Sequence, residues 1–246
     1  MGLGGSAVGL CTPHTGIKTP KIYKMRIEFS CANGSFAQRN TFNAVRQMVL
    51  ASGLAYEPAK INKNWPRLAY GPAAGFGLRT EREYLDIYLT VPSPVQEVQQ
   101  KLAVSAPKGL TLLSVARVPY ALPSVQNLAA AAVYRVEGDF SLYAPEKTAE
   151  DFFNGADVLI TRCAQNGLTL TQDVKPYVKE GRTVSSHCLK LTTLAVAGKW
   201  LRPQVLVAAW LGLEIPPQDD TFVVEGFTFI REGLFWQDSE GELHPI

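Results

Sequence analysis

Residues 25–30 alternate apolar and polar side chains, the period-two pattern of a strand with one buried face. After a turn signal at Asn33-Gly34, Phe42, Val45, Met48 and Val49 recur at the spacing of one helix face, and Gly53 stands where a helix end favours glycine. Residues 54–61 read as extended, 62–67 as a polar exposed loop, and 68–70 as a short strand. The run 71–77 carries Gly71, Pro72, Gly75 and Gly77, which bar regular structure and predict a tight connection. Residues 84–91 predict a strong strand. Ser93 then reads as a helix cap, Pro94 as the first helical residue and Gln96 as a capping-box partner. Val95, Val98 and Leu102 form that helix's buried stripe, Pro107 and Gly109 end it, and 112–118 predict another strand.

The pattern then repeats. Residues 120–131 read as a joint, 132–136 as a strand, and 146–154 as a short helix ended by Gly155. A strand at 158–164 meets a hairpin turn at Asn166-Gly167 and returns over 168–171. Residues 187–196 predict a strand. Pro203 opens a helix whose stripe is Leu206, Ala209, Trp210 and Leu213, stopped by Pro216-Pro217. A strand at 222–230 and a turn at Glu232-Gly233 lead into 234–236. Strand, helix, strand, strand, helix, strand is the order of the ferredoxin-like split βαβ unit. The expected fold is α+β: two tandem ferredoxin-like (βαββαβ) units, each an antiparallel sheet with its helices on one face. Their expected extents are 25–120 and 121–246, behind a flexible leader over 1–24.

The length of 246 residues suits two domains of roughly 100–120 residues each. A hydrophobic share of 46% against 19% charged supports a packed core and argues against a disordered chain. The net charge of +2 is too small to mark a nucleic-acid binder, so contact with RNA would have to rest on a local patch. No run approaches the ~20 apolar residues of a membrane span, and the leader lacks the apolar core of a signal peptide. The expected location is the cytoplasm, with no membrane partner. Cys11, Cys31, Cys163 and Cys188 are scattered, without metal-ligand spacing, and read as reduced thiols.

Lys60, Lys63, Trp65 and Arg67 form the best candidate site, because cations for phosphates beside a ring for base stacking suit single-stranded RNA. Lys18, Lys21, Lys24 and Arg39 could extend it. Lys175, Tyr177, Lys179 and Arg182 form a second, weaker candidate for RNA or a partner. Catalytic patterns are poor. Glu83 and Asp86 are an odd number of strand positions apart and face opposite sides, so with Glu81 they read as surface charge or salt bridges. His187 and Cys188 are neighbours on a predicted strand and point apart. His14 and His244 lie near the termini and read as solvated. The glycines of 71–77 lack the Lys-Ser/Thr of a phosphate-binding Walker loop.

Several segments carry a family resemblance. Tyr70-Gly71-Pro72 with Gly75 and Gly77, then Glu83-Tyr84-Leu85-Asp86-Ile87, resemble the Gly-Pro loop and Glu-Tyr-x-Asp strand of the radical-SAM-linked domain of unknown function DUF2344. Asp173 to Glu180 looks like that family's Asp-Ile-Arg-Pro-Tyr-Ile segment, and Arg231-Glu232-Gly233-Leu234 like its Arg-Thr-Gly-Leu turn. The resemblance runs in order from about Met25 to Phe235. It implies an accessory protein, linked to a cobalamin-binding radical SAM enzyme, that presents a substrate, with RNA as the candidate. Three closely spaced cysteines, which a radical SAM enzyme needs for its iron–sulfur cluster, are not in this sequence. Iron–sulfur cluster, SAM and cobalamin are therefore expected only on the partner, with none bound by this chain.

One departure bears on chemistry. The family pattern Ser-His-Leu-Asp at the start of the first helix is here Ala37-Gln38-Arg39-Asn40. Amides keep hydrogen bonding but cannot move protons near neutral pH, so Gln38 and Arg39 read as contact residues. Residues 60–67 likewise stand where the family has a loop rich in Gly-Phe-x-Pro. Two rival readings remain: a metal-independent endoribonuclease of the tandem ferredoxin-like kind, which Gln38 disfavours, and a structural subunit of a larger complex.

Overall fold

In the computed structural model, residues 22–31, 38–163, 168–216 and 221–246 are described. The leader over 1–21, with Lys18 and Lys21, the Asn166-Gly167 turn and Pro217 fall outside them. Alternation in β1 (Tyr23–Cys31) buries Met25, Ile27 and Phe29 on one face. Against that face pack Val45, Met48 and Val49 of α1 (Gln38–Ala51) and, later in the chain, Val98 and Leu102 of α2 (Val95–Ser105). β2 (Leu68–Tyr70) and β3 (Leu78–Leu89) come between the helices, and β4 (Leu110–Val118) follows. β1 lies antiparallel between β3 and β4, and β2 pairs with Leu85–Ile87 of β3, which gives the strand order β4-β1-β3-β2.

A short helix, α3 (Val125–Leu128), interrupts the joint and leads into β5 (Ala131–Glu137). Then come α4 (Ala149–Asn154), the hairpin β6 (Leu159–Cys163) and β7 (Thr169–Asp173), β8 (Val178–Ser185), β9 (Cys188–Leu194), α5 (Pro203–Trp210), β10 (Thr228–Gln237) and β11 (Leu243–Pro245). Strand order here is β10-β5-β9-β8, all antiparallel, with β11 on β10 and the β6–β7 hairpin apart. Val136, Phe153, Ile160, Leu189, Leu191, Leu206 and Phe229 fill this half's core.

The architecture is mixed α+β with one large, mostly antiparallel sheet and few helices. Separate sheets for the two halves were expected, but the strands join. β3 begins at Leu78, well before residue 84, and so outruns its three-residue partner β2. The bare stretch of edge, a poor thing to leave open, is filled by β10, whose Phe229–Arg231 run parallel to Leu78–Thr80. Arg231 locks the seam: buried, it donates to the Pro72 carbonyl at 2.9 Å and to Glu83.

Other differences are local. β10 starts at Thr228, and the turn expected at Glu232-Gly233 is a bulge inside it, between residues paired with Tyr134 and Val133. Pro94, with no hydroxyl to offer, occupies the N-cap of α2, so the Ser93 capping box does not form. β8 and β11 lack the alternation that would announce them, since β8 is mostly exposed and β11 has only three residues. Helix α5 ends at Trp210, where Gly212 at φ 69 turns the chain, ahead of the prolines.

Candidate nucleic-acid interface

The loop between α1 and β2 is ordered by its own backbone. Glu57 N–H donates to the Tyr88 carbonyl, Arg67 N–H to Glu57, Ala59 N–H to Trp65 and Trp65 N–H to Asn62, at 2.7, 2.7, 2.8 and 3.0 Å. The effect is a narrow hairpin with Lys60 and Lys63 exposed near its tip. Neither lysine has an ion-pair partner among the described residues. Trp65 is half-buried, and the Arg46 guanidinium of α1 lies over its ring at 4.0 Å. A cation over an indole is favourable, and more so when partly desolvated.

Arg67 differs from the expectation of a free cation. It pairs with Glu57 at 2.7 Å and stacks over Tyr88 at 4.0 Å, with its Nη1 donating to the Tyr120 hydroxyl at 3.3 Å. The loop's available charge is therefore Lys60, Lys63 and Arg46. Lys24 is not part of this patch: it is buried in β1, 3.2 Å from Asp86, and donates to the carbonyls of Leu122 and Pro123. Gln38 and Arg39 occupy the first turn of α1. Arg46, Glu57, Tyr88 and Tyr120 were missed by the sequence reading. Arg46 is four residues past Phe42 on α1, but no local pattern links a helix position to a ring nineteen residues on.

The second candidate is only partly exposed. Lys175 Nζ donates to the Phe153 carbonyl at 2.8 Å, and Tyr177 packs on the core. Lys179 and Arg182, on β8, are exposed. The structure brings these residues together at one sheet edge, without an aromatic left open.

Beneath the glycine-bearing loop lies a cavity of about 50 Å³ walled by Cys31, Thr41, Tyr70, Thr80 and Glu83 among others. Close packing explains the glycines: a Cβ on Gly71 would meet the Tyr84 carbonyl and Val125 at 3.1 Å, and Gly77 combines φ +76 with Val223 at 2.8 Å. Burial, then the nearby Glu83 carboxylate, pushes the Cys31 thiol up to about 11 despite a hydrogen bond with Thr41. Burial raises the Tyr70 phenol to about 12 against the pull of Arg46, and its hydroxyl donates to the Phe42 carbonyl at 3.0 Å. Glu83 is held by Arg231, and Asp86, on the opposite face as expected, by Arg26 at 2.9 Å and Lys24. Both carboxylates are thus in salt bridges, the second of the two expected forms, Asp86 fully buried and Glu83 partly so.

His187 lies in the β8–β9 turn, hydrogen-bonded to Ser186 at 2.7 Å, and Cys188 opens β9. His244 is not simply solvated: it pairs with Asp238 at 2.7 Å and stacks on Trp236. Among the described residues, no three of His, Cys, Asp and Glu gather as metal ligands, and no helix is long and apolar enough to cross a membrane.

None of the curated proteins matches the chain. Residues 63–203, more than half of it, match the family model described as "Uncharacterized protein conserved in bacteria (DUF2344)". The match covers the second part of the basic loop, the glycine-bearing segment, the seam strand β3 and the chain onward to the start of α5. On that extent the chain belongs to the DUF2344 family of uncharacterized bacterial proteins.

Proposed function

We propose that this protein is an accessory, substrate-presenting protein that holds single-stranded RNA on the α1–β2 loop for a radical SAM enzyme. The observation that carries the RNA part is the pairing of two exposed lysines, Lys60 and Lys63, with a half-exposed Trp65 already flanked by Arg46. Lysines supply phosphate contacts, and the ring supplies a stacking platform worth about 1–3 kcal/mol per stacked base. The radical enzyme enters through the family resemblance alone. Beside the glycine-bearing loop, Glu83 is committed to Arg231. We further propose that each half is a ferredoxin-like unit. Strand orders β4-β1-β3-β2 and β10-β5-β9-β8 support that reading, with the β6–β7 hairpin as an insertion in the second.

Fluorescence anisotropy with a labelled single-stranded RNA tests the interface. Binding should weaken with salt, as phosphate contacts require. Trp65→Ala should weaken it at every salt concentration, whereas Lys60→Ala with Lys63→Ala should also flatten the salt slope by about two. Equal binding by wild type and both variants would remove this surface from the account.

A further inference from the structure

In the second half of the chain, a groove of about 890 Å³ runs between the β6–β7 hairpin and the chain leaving α5. Apolar side chains line part of it, beside polar surface of about equal extent: Phe152, Leu213 and Ile215, with Leu159 of the hairpin 49% exposed. Around it stand Glu146, Asp157 and Glu214, all exposed, and none pairs with a cation among the described residues. Lys147 is the one cation in its lining. The hairpin that makes one wall is set apart from the main sheet, and every residue of β7 is exposed. The pleat of the hairpin puts Leu159, Thr161 and Thr169 toward the groove and sends Ile160 into the core.

We propose that this groove is a docking site for an extended protein segment that alternates apolar side chains with lysine or arginine. Apolar lining rewards burial of side chains at alternate positions, and a rim of three carboxylates without partners rewards cations at the positions between. The rest of the molecule argues for local recognition. With a net charge of +2, the chain as a whole repels a cationic peptide, so any attraction must come from this rim. A nucleic acid is the wrong occupant for the same reason, since three carboxylates face its phosphates. The inference is independent of the RNA reading, which concerns the other half of the chain.

The test uses the full chain and two synthetic peptides of equal length, one alternating leucine and lysine, the other leucine and glutamate. Binding is followed by anisotropy of a dye on the peptide. The leucine–lysine peptide should bind and the leucine–glutamate peptide should not. A variant with Glu146→Lys, Asp157→Lys and Glu214→Lys, shown by circular dichroism to keep its fold, should bind at least about tenfold more weakly, with the sign of the salt dependence reversed. Leu159→Ser should weaken binding without changing the salt dependence. Failure of the leucine–lysine peptide to bind, equal binding of both peptides, or unchanged affinity in the charge-reversed variant would each overturn the proposal.

Discussion

Single buried groups carry much of what is specific here. Asp86 has no exposure, and two cations converge on it: Arg26 Nε at 2.9 Å and Lys24 Nζ at 3.2 Å. Lys24 also donates to the carbonyls of Leu122 and Pro123, and Val125 N–H donates to Asp86. The cluster thus straps the joint onto the sheet. Asp86→Ala strands two buried cations, and its expected cost is about 3–5 kcal/mol in urea unfolding; a loss below 1 kcal/mol would mean that the cations escape to water. Cys31 gives a pH prediction. Its thiol is raised, so its contribution to stability is complete below the ordinary value of 9.0 and is lost as pH climbs toward about 11. In a variant keeping Cys31 as its one cysteine, reaction with an aromatic disulfide at pH 8 should be much slower folded than in urea. Comparable rates would contradict the burial. Asp86 was legible as a residue facing away from Glu83, but its depth was not, because its partners come from two separate stretches of chain, β1 and the joint at Val125.

At the scale of elements, the sheet's edges decide what is open. β8 is an outer strand, yet α4 covers it: the Asn154 amide bonds both N–H and C=O of Gly181 at 3.0 and 3.1 Å, and Glu150 accepts from Thr183 N–H at 2.6 Å. Gly181 is needed for that approach, since a Cβ there would sit 2.5 Å from the Phe153 ring. Gly181→Ala should cost about 1–3 kcal/mol by overpacking, read as a lower urea midpoint with an unchanged m-value. An unaltered midpoint would show that α4 can lift away freely. The helices and central strands were legible because their buried faces repeat, as in Val45, Met48 and Val49 or Met25, Ile27 and Phe29. β8 was not, because only Val178 and Gly181 of its residues are buried, which leaves no apolar alternation.

At the scale of the molecule, the two halves share one sheet through a three-residue parallel ladder and the pair of buried Arg231 with part-buried Glu83. Parallel pairing between residues about 150 positions apart leaves no local trace in the sequence, which is why two separate sheets were expected. Calorimetry of the whole chain should give one unfolding transition, and Arg231→Ala should split it into two; two transitions in the wild type would make the seam energetically idle. The candidate site was legible in part. Lys60 and Lys63 are exposed and Trp65 is half-buried under Arg46, whereas Arg67 and Lys24 are held by Glu57 and Asp86. The proposed role is to hold RNA without cutting it. Incubating a labelled single-stranded RNA with the protein and running paired native and denaturing gels tests that most directly. A salt-sensitive complex on the native gel that Trp65→Ala weakens, with intact RNA on the denaturing gel, is the predicted result; cleaved RNA, or no complex at low salt, would contradict it.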